Sequence, residues 1–195
     1  IHRITWGEVE KRSEMYQGLE SQIVGVMKLN GEMILLLDFE KMVVEINPES
    51  GINIQQVRKL GKRERSEKRI VVAEDSPLLR KLLSDTLTEA GYQYVEFFEN
   101  GKEALEYLES IANAGKNIEE QVQLIVTDIE MPQMDGHHLT KRVKVSKELG
   151  KLPVIIFSSL ITDDLKHKGQ MVGANAQVSK PEIAELITLI DQHIL

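Results

Sequence analysis

The sequence contains no cysteine, which excludes a disulfide framework and any thiolate metal site. That composition is compatible with a reducing compartment, and a cytoplasmic setting is expected. Positive charge is not in excess either: 24 lysines and arginines face 31 aspartates and glutamates, for a net charge of -7. A general nucleic-acid binder is usually basic, so nucleic acid is not an expected partner. No apolar run approaches the roughly 18–20 residues that cross a bilayer, so no direct membrane insertion is expected. The chain starts at Ile1 rather than at a methionine, and reads as a fragment.

What is present divides into three regions. Residues 1–50 carry a hairpin signal, in which QIVGVMKL and EMILLLDF flank Asn30-Gly31. Both turn residues tolerate positive φ, so a tight type I′ turn is predicted between two strands. DFEKMV, starting at Asp38, suggests a short helix. One hairpin in about 50 residues buries little core, and the region reads as the tail of a larger β-rich domain. MILLL reads as part of its core, and Trp6, the single tryptophan, as packed within it. Residues 51–68 read as a linker, with NPESG as a breaker and RKLGKRERSEKR as a densely charged, mostly basic connector. A solvated connector is the plain reading; a contact for an acidic partner is the sharper one.

Residues 69–195 alternate strand and helix. RIVVAED is a short continuous apolar run, as expected for a strand covered on both faces. Ser76 can cap the next helix, with Pro77 in its first turn. Leu79, Leu82, Leu83 and Leu87 then share one helical face, and Gly91 ends it. YQYVEFF, VQLIVTD, LPVIIFSS and AQVSK read as further strands; GKEALEYLESI, GHHLTKRVKVSKEL, TDDLKHKGQMVGA and PEIAELITLIDQHI read as helices. Five βα units imply an α/β fold with a five-stranded, doubly wound parallel sheet of the flavodoxin-like kind and right-handed crossovers.

Ligands of such sheets bind at the carboxyl ends of the strands. The first strand ends in Glu74 and Asp75, the third in Asp128, the fourth in Ser158 and Ser159, and the fifth in Lys180. Three carboxylates on one rim repel one another unless a cation joins them. Oxygen ligands without Cys or His favour a hard ion, and Mg²⁺ suits a site that also handles phosphate. The acidic pair would hold the metal, one carboxylate directly and the other through water. Asp128 could then act as a nucleophile toward phosphorus. Lys180 and the metal would neutralise the phosphoryl oxygens, and Ser158 could donate a hydrogen bond to one of them.

VVAEDS, LIVTDIEMPQMDG, PVIIFSS and VSKP together resemble a response-regulator receiver domain over residues 69–195. The resemblance implies that Asp128 accepts a phosphoryl group from a histidine kinase. It implies Mg²⁺ at Glu74, Asp75 and Asp128, with the backbone carbonyl of Glu130 as a further ligand. Ser158 would be the switch hydroxyl and Lys180 the phosphate-pairing cation. It also implies a cis Lys180–Pro181 peptide and a shaped loop containing Pro132 and Gly136. One departure is Gln177, at a position where the family often carries an aromatic switch; another is Glu130, whose side chain could tune attack by water. IHRITWGEVE and IVGVMKLNGEMILLLDFEKMV resemble the last part of a CheW-like adaptor domain, which couples chemoreceptors to a histidine kinase. The order adaptor-then-receiver is similar to CheV-type chemotaxis coupling proteins.

The expected function is therefore a non-enzymatic chemotaxis adaptor, whose phosphorylation on Asp128 modulates coupling of chemoreceptors to their kinase. A phosphate sink is the alternative, and a Mg²⁺-dependent phosphohydrolase a weaker one, since the short βα loops leave little room for a substrate pocket. Transcriptional control is not expected, because no helix-turn-helix segment follows the receiver. Adjacent His137 and His138 would point about 100° apart on a helix and chelate poorly, so they read as plain helical surface. His2, His167 and His193 are isolated, and Asp38 reads as a turn or cap.

Overall fold

The computed structural model describes residues 23–29, 31–37, 42, 54–61, 63–159 and 161–195. The chain divides into two units, Ile1–Gly51 and Ile52–Leu195. In the first, β1 (Ile23–Leu29) pairs antiparallel with β2 (Glu32–Leu37), Leu29 opposite Glu32. The two-residue connection and Gly31 at φ 83° agree with the predicted tight turn. The expectation that MILLL is core is not met: Met33, Ile34, Leu35 and Leu37 are all exposed. A hairpin has only two strands, too few to cover both of its own faces. Trp6, His2, Asp38 and, apart from Met42, the helix expected from DFEKMV lie outside the described residues.

The second unit opens with a departure. Part of the stretch expected as a solvated connector folds as α1 (Ile54–Arg58), and Val57 is buried in a core cluster with Leu83, Leu87 and Ile190. Arg63 follows it onto the same ground. Its guanidinium donates to the Ala90 carbonyl at 2.7 Å and pairs with Asp191 at 2.5 Å, and Tyr92 donates its hydroxyl to the same carboxylate. Charge dominates this segment's composition and hides Val57, the buried apolar side chain among its described residues.

The strands of this unit are β3 (Ser66–Ala73), β4 (Tyr92–Phe98), β5 (Leu124–Thr127), β6 (Val154–Ser158) and β7 (Ala176–Ser179). They form a parallel sheet in the order β4-β3-β5-β6-β7. Successive side chains of β3 alternate between faces. Ile70 and Val72 meet α1, α2 (Pro77–Glu89) and α7 (Ile183–His193). Val71 and Ala73 meet α3 (Gly101–Asn113) and α5 (Gly136–Val145) on the other side. A short α4 (Ile118–Gln121), absent from the sequence reading, is capped by Asn117.

Local chemistry sets the helix ends. Ser76 accepts from the Leu79 amide and Pro77 opens α2, as predicted. Leu79, Leu83 and Leu87 are buried on that helix, each contributing about 2 kcal/mol by leaving water. Helix α5 stops at Val145, short of the predicted Leu149. There Ser146 adopts an extended conformation and its hydroxyl accepts from the Leu149 amide instead. The last helix to place, α6 (Asp163–Met171), buries only Gly169 and adds no buried side chain to either core.

Candidate functional site

Strand register builds the site. Ala73 and Thr127 are paired at the ends of β3 and β5, so the next residues, Glu74 and Asp128, emerge side by side. Two bonds hold these emerging backbones: the Asp128 amide donates to the Ala73 carbonyl at 2.9 Å, and the Glu74 amide to the Phe98 carbonyl at 3.0 Å. On the other flank, Ser158 is paired with Ser179 at the ends of β6 and β7. The Lys180 amide donates back to the Ser158 carbonyl at 3.1 Å, and the Lys180–Pro181 peptide is cis, as expected.

Lys180 then reaches across the sheet's rim. Its Nζ lies 2.8 Å from Glu74 Oε2 and 3.2 Å from Asp128 Oδ2. All three side chains are nearly buried, at 6%, 2% and 9% exposure, so these are ion pairs shielded from water. Oxygens of Glu74, Asp75 and Asp128 lie within 4.8 Å of one another. The other oxygens are engaged: Asp128 Oδ1 accepts from the Ile129 amide at 2.6 Å, and Glu74 Oε1 from the Ser76 amide at 3.2 Å. Ser158 is buried at the end of its strand, and the side chain of Glu130 is exposed two residues past Asp128.

The electrostatics suit a divalent cation. Three carboxylates crowd one rim around a single lysine bridge. Burial pushes the Glu74 carboxyl up to about 7; Lys180 opposes that shift and Asp128 adds to it. A hard cation among oxygen donors would hold all three groups ionised. Mg²⁺ therefore fits the donor set.

The loop after Asp128 is tightly fastened. The Gly136 amide donates to the Ile129 carbonyl at 3.0 Å, the Gly101 amide to the Met134 carbonyl at 3.2 Å, and Gln133 takes a positive φ of 64°. The Thr127 hydroxyl donates to the Asp128 carbonyl at 2.9 Å. A continuous apolar strand pattern does not reveal where a hydroxyl turns.

The reading of His137 needs correction. It is not helical surface but 2% exposed, with Nε2 3.3 Å from the Leu165 carbonyl of α6. A carbonyl only accepts, so Nε2 carries the hydrogen; Nδ1 is buried without a hydrogen-bond partner. Burial, with Lys168 nearby, lowers the affinity of the ring for a proton. Gln177 also touches α6, its Nε2 donating to the Lys166 carbonyl at 2.7 Å.

The sequence model of the response regulator receiver domain matches residues 70–191, well over half of the chain. The chain belongs to the response regulator receiver family. Relatives of this receiver extend the likeness beyond the sheet. Chemotaxis protein CheV2 of Helicobacter pylori is 29% identical over 95% of this chain, and CheV1 of the same organism is 25% identical over 97%. The chain spans 58% of the length of each. Among solved structures, Vibrio cholerae chemotaxis protein CheY4 superposes with a TM-score of 0.55 at 26% identity, covering 67% of this chain and all of CheY4. The receiver is thus related to chemotaxis regulators of the CheV and CheY kinds. No described helix is long and apolar enough to cross a membrane.

Proposed function

We propose that this chain is a phosphorylatable chemotaxis coupling protein in which Asp128 takes a phosphoryl group from the phosphohistidine of a chemotaxis kinase. The observation that carries this reading is Lys180 bridging Glu74 and Asp128 beside a third carboxylate, Asp75. Asp128 Oδ1 is held by the Ile129 amide, which leaves Oδ2 as the attacking atom. A bond forms from Oδ2 to phosphorus while the phosphorus–nitrogen bond of the donor breaks, and the electron pair stays on the departing imidazole. Lys180, already 3.2 Å from Oδ2, follows the charge onto the phosphoryl oxygens. Ser158, at the end of the strand neighbouring β5, donates its hydroxyl to one of those oxygens. Glu74, Asp75, Asp128 and the Glu130 carbonyl would hold Mg²⁺, which when bound supplies further neutralisation of the phosphoryl charge.

This role is that of a phosphoacceptor rather than an enzyme acting on a separate substrate. The similarity to CheV proteins over nearly the whole chain supports the adaptor reading, in which the kinase and, through residues 1–50, chemoreceptors are partners in the cytoplasm. The test is labelling with acetyl phosphate and Mg²⁺, followed by phosphotransfer from a chemotaxis kinase with kinase activity measured in receptor arrays. Wild-type chain is expected to label, and Asp128→Asn to lose labelling entirely; equal labelling of the variant overturns the assignment. Phosphorylation that drains the kinase without changing its receptor-coupled activity would make the chain a phosphate sink instead.

A further inference from the structure

The acidic pair has a partner outside the cluster of charges just described. Arg80 lies in the first turns of α2 and is largely covered, its side chain 18% exposed. Its Nη1 donates to the Glu74 carbonyl at 2.8 Å and to the Asp75 carbonyl at 3.0 Å. Its Nη2 pairs with Glu99 at 3.0 Å, and Glu99 is 63% exposed. These two carbonyls stand just past the end of β3, at Ala73, and before the Ser76 cap of α2. In that gap the Glu74 amide is still tied to the Phe98 carbonyl, but the carbonyls of Glu74 and Asp75 lie beyond the β3–β5 ladder, which ends at Ala73 and Thr127. Two successive carbonyls converging on one guanidinium nitrogen fix the peptide between them. They thereby fix the direction in which both carboxylates leave the chain.

We propose that Arg80 is a positioning residue for metal binding: it acts through the backbone of Glu74 and Asp75 to hold their carboxylates in register with Asp128. The inference rests on the reading of that cluster as a Mg²⁺ site. It differs from a purely electrostatic role in sign. A cation placed near a metal site repels Mg²⁺, so losing its charge alone should tighten metal binding. Losing the positioning bonds should weaken it, because groups that orient metal ligands typically contribute about tenfold or more in affinity. Glu99 shares the guanidinium's charge but touches neither carbonyl.

The experiment is calorimetric titration of the full chain with Mg²⁺ alone, together with acetyl phosphate labelling across a range of Mg²⁺ concentrations. Arg80→Gln is expected to raise the Mg²⁺ dissociation constant about tenfold and to raise the Mg²⁺ needed for half-maximal labelling, while the rate at saturating Mg²⁺ stays at the wild-type value. Arg80→Lys keeps the charge but loses the rigid planar group that aims Nη1 at both carbonyls and should weaken Mg²⁺ severalfold; it also serves if the glutamine variant does not fold. Glu99→Gln should bind as wild type does. A merely structural arginine would lower the melting temperature and the fraction of active chain but leave the half-saturation point unmoved. If wild type binds Mg²⁺ and Asp75→Asn weakens it, while the Arg80 variants bind as tightly as wild type or more so, the positioning role is overturned. Failure of wild type itself to bind Mg²⁺ overturns the metal-site reading, and the inference with it.

Discussion

Gly136 is where the fold and the proposed chemistry can be perturbed by a single methyl group. It opens α5, just after the Asp135 cap. A Cβ built there would lie 2.9 Å from the Asp128 carbonyl carbon, 3.0 Å from Thr127 Oγ1, and on top of the Asp128 carbonyl oxygen. Ordinary contact begins at 3.4 Å, so the start of α5 and the end of β5 must part by about 1 Å, a backbone shift of the kind overpacking forces. The carbonyl has no easy way to swing aside. Its oxygen accepts from Thr127, the Asp128 amide is tied to Ala73, and the Asp128 carboxylate is tied to the Ile129 amide. The cost sits at the upper end of the overpacking range, about 3 kcal/mol. For a unit of this size that is a loss of roughly 10 °C in melting temperature.

The same displacement moves the proposed nucleophile. A reacting atom misplaced by about 1 Å costs about 100-fold in rate, so Gly136→Ala should label with acetyl phosphate some 100-fold more slowly per folded molecule. Gly115→Ala is the control. Gly115 has a positive φ of 70° but nothing within 4 Å of its would-be Cβ, so it should lose about 1 kcal/mol and label normally. Thermal melting and labelling kinetics on the three proteins decide the matter. A Gly136→Ala chain that melts and labels like wild type would refute the claim that close approach of α5 to the Asp128 backbone sets the nucleophile's position.

Three further outcomes follow from contacts elsewhere. Val57→Ala should destabilise the chain by about 2 kcal/mol in urea unfolding, because Val57 is 1% exposed in the core; a freely solvated connector predicts no change. His137 gives a pH signature. Its ring binds protons less readily folded than unfolded, where it titrates near 6.5. The unfolded state therefore takes up more protons as pH falls, so this stability is present above 6.5 and is lost below it. His137→Gln keeps a donor for the Leu165 carbonyl and should show a shallower fall in melting temperature between pH 7 and pH 5; equal slopes would count against the buried neutral ring. Finally, a Cβ on Gly169 would meet Gln177 Cδ at 2.5 Å and Nε2 at 2.7 Å. Gly169→Ala should displace that amide and lower the melting temperature. In a Gln177→Ala background the same change should be neutral or stabilising by up to about 1 kcal/mol, the helix preference of alanine; additive effects would refute the contact.

Most of the parallel sheet was legible because buried parallel strands write themselves as short apolar runs, and their ends fix where polar residues gather. Tyr92–Phe98 is a strand over the residues expected, and the rim positions of Glu74, Asp75, Asp128 and Lys180 follow from strand order alone. Two kinds of feature were not legible. The first is an apolar residue in a charged context: Val57 sits in a stretch whose composition argues for solvent, yet its side chain is buried in the core cluster. The second is a polar side chain whose partner is backbone. His137 reads as plain helical surface, and nothing in the sequence singles out Arg80 or Thr127. Each is fixed by a carbonyl that periodicity does not place. The short helix Ile118–Gln121 had a usable signal, Asn117 followed three residues later by Glu120, and the two side chains do bond at 3.1 Å.

The way α6 is held links the site to the rest of the receiver. The other long helices of this unit are anchored by apolar side chains: α2 buries Leu79, Leu83 and Leu87, and α7 buries Ile183, Leu186, Ile187 and Ile190. Helix α6 buries only a glycine. Its described ties to the body include two side-chain bonds to successive carbonyls, His137 to Leu165 and Gln177 to Lys166. Each of those side chains also carries a buried atom with no hydrogen-bond partner, His137 Nδ1 and Gln177 Oε1. A net hydrogen bond contributes about 1 kcal/mol, and an unsatisfied buried polar atom costs a comparable amount, so these two contacts add little net stability. An element held that way shifts for a small change in free energy, where one anchored by three leucines does not. The chain passes from Ser158, the hydroxyl proposed to meet the phosphoryl group, to the start of α6 at Asp163 in five residues. Weak anchoring therefore lies directly downstream of the site. Gln177, where an aromatic residue was anticipated, holds α6 by a polar bond, so movement of this helix does not require an aromatic ring to change places.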